Sequence, residues 1–281
     1  MAIRAADTRC GKTLYLDCQA GIAGDMLVAA LLDLGGKPAL GRLTQMLEKL
    51  ALEGFSVAVT RVKKAGIDCC DFDVKLDAAH ENHDHDMAYL HGLGDTSHDH
   101  DHDHHHAHRG LAQVEQVIDA APLSERARGL ARDAFRILAR AEAKAHGLPI
   151  DQVHFHEVGA VDSIVDVLAA AFLIDDLDIE RVIVPALTDG HGTIRCQHGV
   201  IPVPVPATLS ICIAHGLPLS SSSVEGELVT PTGAALVAAL EPEFSLPERY
   251  TIRAVGLGAG ERSYGRPSIL RAMLIEELDA R

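Results

Sequence analysis

The segment from residue 154 to residue 166 concentrates side chains that bind metals or transfer protons. It holds His154, His156, Glu157, Asp162 and Asp166 among apolar neighbours. In an extended stretch the two histidines share one face. In a helix beginning near residue 162 the two aspartates lie one turn apart. Such a set of nitrogen and oxygen donors favours a divalent first-row metal. The alternative is an ordinary helix start, with a capping aspartate and solvated histidines. The order His-x-His-Glu is not His-Glu-x-x-His, so the zinc-hydrolase motif does not apply.

A second histidine-rich region extends from His80 to His108 and contains eleven of the 17 histidines of the chain. Hydrophobic periodicity disappears between Ala78 and Arg109, so residues 78–109 are predicted to be a disordered surface insertion. Its alternating histidines and aspartates are expected to form weak, unselective nickel sites, which suit storage or delivery more than catalysis. The histidines assigned to these sites are His98, His100, His102, His104, His105 and His106.

Two glycine-bearing turns lead into predicted helices and could bind ligands. Asp17, Gly21, Gly24 and Asp25 connect a short buried strand to an apolar helix, where backbone amides can hold an anion. The two aspartates would repel a phosphate unless a metal lies between them, so we assign them as candidate metal ligands and the glycines as candidate cofactor-binding residues. The alternative is a plain glycine turn in which Asp25 caps the helix.

Thr230, Thr232 and Gly233 open a later Ala/Leu helix with donors pointing outward, and they are also candidate cofactor-binding residues. Helix capping is the competing interpretation. Arg195 lies in a Gly-, Pro- and His-rich loop and could bind a carboxylate or phosphate in bidentate fashion.

Composition limits the classes of protein to which the chain can belong. It has 281 residues, 47% of them hydrophobic, which is enough for a substantial core. The net charge of −15 argues against nucleic-acid binding. The six cysteines form no Cys-x-x-Cys pair, and no signal peptide or membrane span is visible. We therefore expect a cytoplasmic protein with reduced thiols.

Helical and strand patterns are mixed without strict alternation. Residues 55–63 and 67–76 are predicted to form a β-pair around Ala65-Gly66, and residues 124–146 a helix capped by Ser124. The predicted fold class is α/β or α+β, a mixed sheet flanked by helices in a single domain over residues 1–281.

Four segments together resemble the LarC-type nickel-insertion proteins, which mature lactate racemase. They are Leu14–Met26, His154–Asp166, His198–Thr208 and Glu227–Ala235, in the family's order and with a His-rich insertion where that family carries one. The resemblance implies a lyase-type nickel chelatase. It would insert Ni²⁺ into pyridinium-3,5-bisthiocarboxylic acid mononucleotide to form the nickel-pincer nucleotide, in a CTP-dependent reaction that uses Mn²⁺ or Mg²⁺.

Roles for single residues follow from that resemblance. Forming the Ni–C bond requires loss of a ring proton, and Glu157 or His156 is the expected base, with Asp162 as a further catalytic residue. The expected metal ligands are His154, His156, Asp162, Asp166, Asp17 and Asp25. Apo lactate racemase is the expected acceptor of the cofactor.

Members of that family usually continue into a C-terminal domain that carries CTP binding and oligomerisation. We expect that domain to be absent here, so that the chain is either one subunit of a split enzyme or a homologue with a changed role; a homo-oligomer is a further alternative. Two other interpretations stay open: a nickel metallochaperone or storage protein without catalysis, and a metal-dependent phosphohydrolase that uses Asp17, Asp25, His154 and His156.

Overall fold

The computed structural model describes residues 11–77, 109–155, 161–196 and 199–278, except for the side chain of His154. Within these ranges the chain forms α-helices and β-strands in mixed order. The helices are α1 (Gly24–Leu47), α2 (Leu111–Ala120), α3 (Glu125–His146), α4 (Val161–Asp176), α5 (Pro206–His215) and α6 (Pro231–Ala239). The strands are β1 (Lys12–Asp17), β2 (Phe55–Lys64), β3 (Ile67–Leu76), β4 (Arg109–Gly110), β5 (His154–Phe155), β6 (Ile179–Ile183), β7 (Leu187–His191), β8 (Thr193–Cys196), β9 (Gly199–Pro202), β10 (Leu219–Glu225), β11 (Tyr250–Ala259) and β12 (Ile269–Glu277).

A six-stranded mixed sheet in the order β2-β3-β11-β12-β1-β6 is the centre of the fold. Strand β1 pairs antiparallel with β12 and parallel with β6, so its carboxyl end meets the start of the β6–β7 connection. Side chains of β1 alternate between the two faces: Leu14 and Leu16 are fully buried in the main core, whereas Tyr15 packs into a smaller cluster with Ile183 and Met273. The predicted mixed sheet flanked by helices is confirmed.

Helix α1 lies close to β11 because two glycines leave room for its backbone. A Cβ at Gly256 would lie 2.1 Å from the Ala30 carbonyl oxygen, and one at Gly258 would lie 2.1 Å from the Met26 carbonyl oxygen. Any larger residue at either position would push α1 away from the sheet. This contact fixes the N-terminal half of α1, and with it the turn that precedes the helix.

Helix α3 packs against three other helices, α4, α5 and α6. Helix α3 begins as the sequence predicts: the Ser124 hydroxyl accepts a hydrogen bond from the Ala127 N–H at 3.0 Å, and Gly147 ends the helix in the left-handed conformation with φ 64°. Strands β7 and β10 form a separate parallel pair, and β8 and β9 form an antiparallel pair.

The short strands β4 and β5 join two distant parts of the chain. Arg109 pairs with Phe155 and Gly110 pairs with His154, in antiparallel register. The residue at which the chain returns from the His/Asp-rich segment is therefore hydrogen-bonded to the strand that opens the donor-rich segment.

Most local predictions agree with the structure, with one difference in a helix boundary. The β2–β3 pair turns at Ala65 and Gly66, both with positive φ. The sequence also predicts two helices separated at Gly35-Gly36, the second from Pro38 to Leu52. In the structure they are one helix, α1, with a kink where Gly36 has φ 63°, and it ends at Leu47. Of the predicted loop at residues 78–109, residues 78–108 lie outside the described part of the chain. None of the helices in the described ranges is long and apolar enough to cross a membrane.

Candidate functional site

Four carboxylates from three parts of the chain are near enough to interact electrostatically, and we name them the carboxylate cluster. Asp25 lies in the first turn of α1, Asp162 and Asp166 lie one turn apart near the start of α4, and Glu261 follows β11. The Asp166 carboxylate accepts a hydrogen bond from the backbone N–H of Asp25, and its Oδ1 is buried without a hydrogen-bond partner. The predicted ligand set contains these three aspartates together with Asp17, His154 and His156; in the structure the charges of Asp25 and Asp162 act on Asp166, and the role of the set as metal ligands stays a prediction.

Burial and mutual repulsion dominate the electrostatics of the carboxylate cluster. Burial raises the pKa of Asp166 well above its ordinary value, and the negative charges of Asp25, Asp162 and Glu261 raise it further. The approach of α1 depends on Gly24, since a Cβ there would lie 2.5 Å from Oδ2 of Asp166. A bound cation would offset the repulsion among these groups, and oxygen donors suit divalent metals.

A small cavity of about 60 Å³ is lined by members of both the carboxylate cluster and a buried ion pair. The lining includes Asp25 and Glu261 of the cluster, together with Glu227, Arg262 and Tyr264. Arg262 Nη1 donates to Glu227 Oε2 at 2.6 Å, and the Tyr264 hydroxyl donates to the Glu227 carbonyl oxygen at 2.8 Å. Glu227 is 4% exposed, so this pair is shielded from solvent and interacts strongly.

Asp189, at 1% exposure, fixes the loop that precedes α6. Its Oδ1 accepts three backbone hydrogen bonds, from Gly190 at 2.8 Å, Leu228 at 2.8 Å and Val229 at 3.1 Å. Burial raises the pKa of Asp189, while these hydrogen bonds and the Arg262 charge act in the opposite direction. Asp189 therefore positions Glu227 and its neighbours beside the cavity.

A larger cleft of about 460 Å³ opens where β1 ends, and we name it the β1 cleft. Its lining includes Asp17, Gln19, Thr188, Ser220, Ser221 and Arg266. Asp17 forms an ion pair with Arg271 of the neighbouring strand β12, so it lies apart from the carboxylate cluster. Arg266 Nη2 donates to the Gln19 carbonyl oxygen at 2.6 Å.

The glycines predicted to bind a cofactor pack against protein atoms. A Cβ at Gly21, whose φ is +87°, would lie 2.0 Å from the Leu228 carbonyl oxygen, and a Cβ at Gly233 would lie 2.3 Å from the Ile22 carbonyl oxygen. These contacts join the Asp17–Asp25 turn to the start of α6. Both turns are thereby held at the same end of the fold.

The remaining predicted residues lie in two places. The Thr230 hydroxyl accepts a hydrogen bond from Gly233 N–H at 3.1 Å and caps α6, while Thr232 is buried in its first turn. Arg195 lies in the β8–β9 pair, and its Nε is buried without a hydrogen-bond partner. Whether any of these residues binds a cofactor stays a prediction.

Several predicted ligands lie outside the described residues. These are His156, Glu157 and the tract residues His98, His100, His102, His104, His105 and His106. For His154 only the backbone position in β5 is known. Among the side chains that are described, no three or more His, Cys, Asp or Glu residues form a preformed metal site. Their roles stay predictions.

Glu261, Arg262 and Asp189 are the polar site residues that sequence reasoning missed. Each becomes interpretable only through the sheet order, because β11 brings Glu261 and Arg262 to α1 and the β7–β10 pair brings Asp189 to the loop before α6. The one local signal is that Glu261-Arg262 directly follows the glycine-rich end of β11.

Comparison with known proteins gives a consistent result. The family model described as nickel insertion protein matches residues 14–281. The "Pyridinium-3,5-bisthiocarboxylic acid mononucleotide nickel insertion protein" of Alkaliphilus metalliredigens is 46% identical over 267 residues, which cover 94% of this chain and 60% of that protein. Its namesake in Geobacillus kaustophilus is 41% identical over 95% of this chain and 60% of that protein. A "Putative nickel insertion protein" of Citrifermentans bemidjiense is 40% identical over 96% of this chain and 63% of that protein. The chain thus spans less than two thirds of the length of these relatives, and no solved structure gives a significant match.

Proposed function

Since the chain belongs to the nickel insertion protein family, we propose that it inserts Ni²⁺ into pyridinium-3,5-bisthiocarboxylic acid mononucleotide, the compound named in its relatives. The product is the nickel-pincer nucleotide, the cofactor of lactate racemase. The observation that carries this proposal is the carboxylate cluster, in which the charges of Asp25, Asp162 and Glu261 act on the buried carboxylate of Asp166.

The donor set supports transfer of the metal rather than permanent retention. Carboxylate oxygens are hard ligands and imidazoles are borderline, whereas the substrate's thiocarboxylate sulfurs are soft and bind nickel more strongly. We propose that Asp162, Asp166 and Asp25, with His154 and His156, hold Ni²⁺ until the sulfurs take it. In this scheme Asp17 serves the cleft instead, because Arg271 neutralises it.

The insertion step exchanges a proton for the metal at one ring carbon. The ring C–H bond breaks, its electron pair forms the Ni–C bond, and the proton passes to a base; nickel keeps its oxidation state. We propose Glu157 or His156 as that base, since both precede α4 and its two aspartates in the chain. Classification as a lyase-type chelatase follows from this chemistry.

Two further requirements come with the family resemblance, CTP and a hard divalent cation. Mn²⁺ and Mg²⁺ prefer oxygen ligands, including the phosphate oxygens of a nucleoside triphosphate. The relatives are longer than the region that this chain matches. We propose that CTP binds to that further part, whether or not it is a separate polypeptide. Five cysteines within the described ranges are buried free thiols, which supports a reducing, cytoplasmic setting.

Reconstitution tests the proposal directly. The purified protein is incubated anaerobically with Ni²⁺ and the bisthiocarboxylated mononucleotide, with and without CTP, and activation of apo lactate racemase is measured. We expect Asp166→Asn and Glu157→Gln to lower activation at least about 10-fold, by analogy with the loss of one positioned acid or base. Asp133→Asn, an exposed aspartate on α3, is the matched control and should leave activation unchanged. Equal activity of Asp166→Asn and wild type would remove the carboxylate cluster from the mechanism.

The His/Asp-rich tract supports a second candidate, a nickel metallochaperone or storage protein, since eleven of 17 histidines lie in it. Deleting residues 80–108 separates the two functions. A storage protein would lose most of its nickel capacity on deletion and be insensitive to Asp166→Asn. An insertion enzyme would keep turnover at saturating Ni²⁺ and lose it with Asp166→Asn.

A further inference from the structure

The β1 cleft has the composition of a binding site for a phosphate group. Its volume of about 460 Å³ lies in the range of small-molecule sites. Thr188, Ser220, Ser221 and Arg266 are among the residues that line it, so hydroxyl groups and a guanidinium belong to its walls. We propose that the β1 cleft binds the phosphate monoester of the mononucleotide substrate. This inference rests on the proposed function and adds to it the place where the nucleotide end of the substrate is held.

Arg266 supplies a positive charge that the protein leaves available. One of its five N–H donors goes to the Gln19 carbonyl oxygen, a neutral acceptor. Throughout the described ranges, no carboxylate forms an ion pair with Arg266, in contrast to Arg262 and Arg271, which pair with Glu227 and Asp17. In a chain with a net charge of −15, an arginine without a carboxylate partner is a favourable position for an anion.

Asp17 does not oppose anion binding, because Arg271 neutralises it. The two residues are cross-strand partners in the β1–β12 ladder, and Asp17 is 4% exposed whereas more than half of the Arg271 side chain is exposed. The pair therefore adds little net charge to the cleft. Cys18 also lines the cleft, but burial raises the pKa of its thiol, so it stays protonated and is no nucleophile at neutral pH. The β1 cleft is thus suited to binding rather than to covalent chemistry.

The same two segments border both the β1 cleft and the carboxylate cluster. The turn after β1 contributes Gln19 to the cleft and Asp25 to the cluster. The connection between β11 and β12 contributes Arg266 to the cleft and Glu261 to the cavity beside the cluster. In this assignment the phosphate end of the substrate lies in the cleft, and its ring end is directed along these segments toward the carboxylate cluster.

Calorimetric binding of nicotinic acid mononucleotide, compared with the riboside that lacks the phosphate, tests this assignment. We expect Arg266→Gln to weaken mononucleotide binding at least 10-fold, and to leave riboside binding unchanged, because only the phosphate contacts Arg266. Arg266→Lys should recover part of the loss, since lysine binds phosphate as a point charge. Arg253→Gln, an exposed arginine on β11, is the matched control and should affect neither ligand.

Arg266→Gln also removes the hydrogen bond from Arg266 to the Gln19 carbonyl oxygen, which could disturb the local fold, so a second variant is needed. Ser220→Ala combined with Ser221→Ala leaves the Arg266–Gln19 hydrogen bond intact and should weaken mononucleotide binding several-fold. If both variants bind mononucleotide like wild type, or weaken mononucleotide and riboside equally, the assignment is wrong. Binding of CTP but not of mononucleotide, sensitive to Arg266→Gln, would also overturn it and make the cleft a nucleoside triphosphate site.

The proposed function and the cleft can fail independently. If wild type, supplied with CTP and with the remaining part of a longer relative, forms no nickel-pincer nucleotide but phosphate-dependent binding requires Arg266, the cleft assignment stands and the proposed function does not. If Arg266→Gln inserts nickel with an unchanged KM for the mononucleotide, the cleft assignment alone is wrong.

Discussion

Asp189 offers a sharp test of the structural reasoning, because one buried oxygen holds together a loop of the candidate site. Replacing Asp189 with alanine leaves the backbone N–H groups of Gly190, Leu228 and Val229 without their acceptor. A buried donor without a partner costs about 1–3 kcal/mol. Allowing for partial relaxation, Asp189→Ala should lower the free energy of unfolding by about 3–6 kcal/mol, a large fraction of the stability of a domain.

Asp189→Asn separates the contribution of Oδ1 as a hydrogen-bond acceptor from the contribution of the carboxylate's negative charge. Its Oδ1 can still accept the three hydrogen bonds, so we expect it to lose less than half of what the alanine variant loses. Urea denaturation followed by circular dichroism measures both values. An alanine variant within about 1 kcal/mol of wild type, or an asparagine variant as unstable as the alanine one, would refute the role given to Oδ1.

The contribution of Asp189 to the free energy of unfolding depends on pH, and the direction of this dependence can be predicted. Because burial raises the pKa of Asp189 from its ordinary value of 3.8, the folded protein binds more protons than the unfolded chain between that value and the raised one. The contribution of Asp189 to stability therefore falls as pH rises through this window. Asparagine has no such titration, so the difference between the asparagine variant and wild type should shift in favour of the variant as pH increases from about 4 upward.

Two further predictions concern packing and the buried ion pair. Gly233→Ala should destabilise the protein by about 1–3 kcal/mol, because the added Cβ would lie 2.3 Å from the Ile22 carbonyl oxygen. Gly129→Ala on α3 is the control: its added Cβ meets no atom within 4 Å, so it should stabilise the protein by about 0.5–1 kcal/mol. If urea denaturation gives the same change in stability for both variants, Gly233 does not depend on its close approach to Ile22. Arg262→Met should cost about 3–5 kcal/mol by leaving Glu227 charged and buried, and the double variant with Glu227→Gln should recover much of it. A double variant as unstable as the single one would show that the ion pair is not the cause.

Local signals in the sequence were sufficient to predict helix ends and kinks, because a single residue determines the backbone geometry at each of these points. Ser124 and Gly147 mark the ends of α3 because a cap hydroxyl and a left-handed glycine act within one turn. The kink at Gly36 was equally visible, since glycine and the following Pro38 interrupt regular helix geometry. These features depend on the residue and its immediate neighbours alone.

Residues whose role depends on sheet order were not predictable in this way. The grouping of Asp162 and Asp166 followed from helical periodicity, but Glu261 joins them only because β11 lies against α1. Asp17 was grouped with Asp25 by proximity in sequence. The cross-strand register of β1 and β12 instead pairs Asp17 with Arg271 and directs it to the cleft. The register between these two strands cannot be deduced from a single sequence.

The pairing of β4 with β5 has a consequence for the kinetics of metal capture. Arg109 and Gly110 are hydrogen-bonded to the strand that contains His154, and His108 immediately precedes them in the chain. The His/Asp-rich segment is thus tethered at its C-terminal end to the start of the donor-rich segment. Tethering turns the meeting of two partners into an intramolecular event, with an effective concentration in the millimolar range for a short flexible link. If the tract binds nickel as predicted, the bound ion would be presented to the donor-rich segment at an effective concentration well above that of a micromolar free ion.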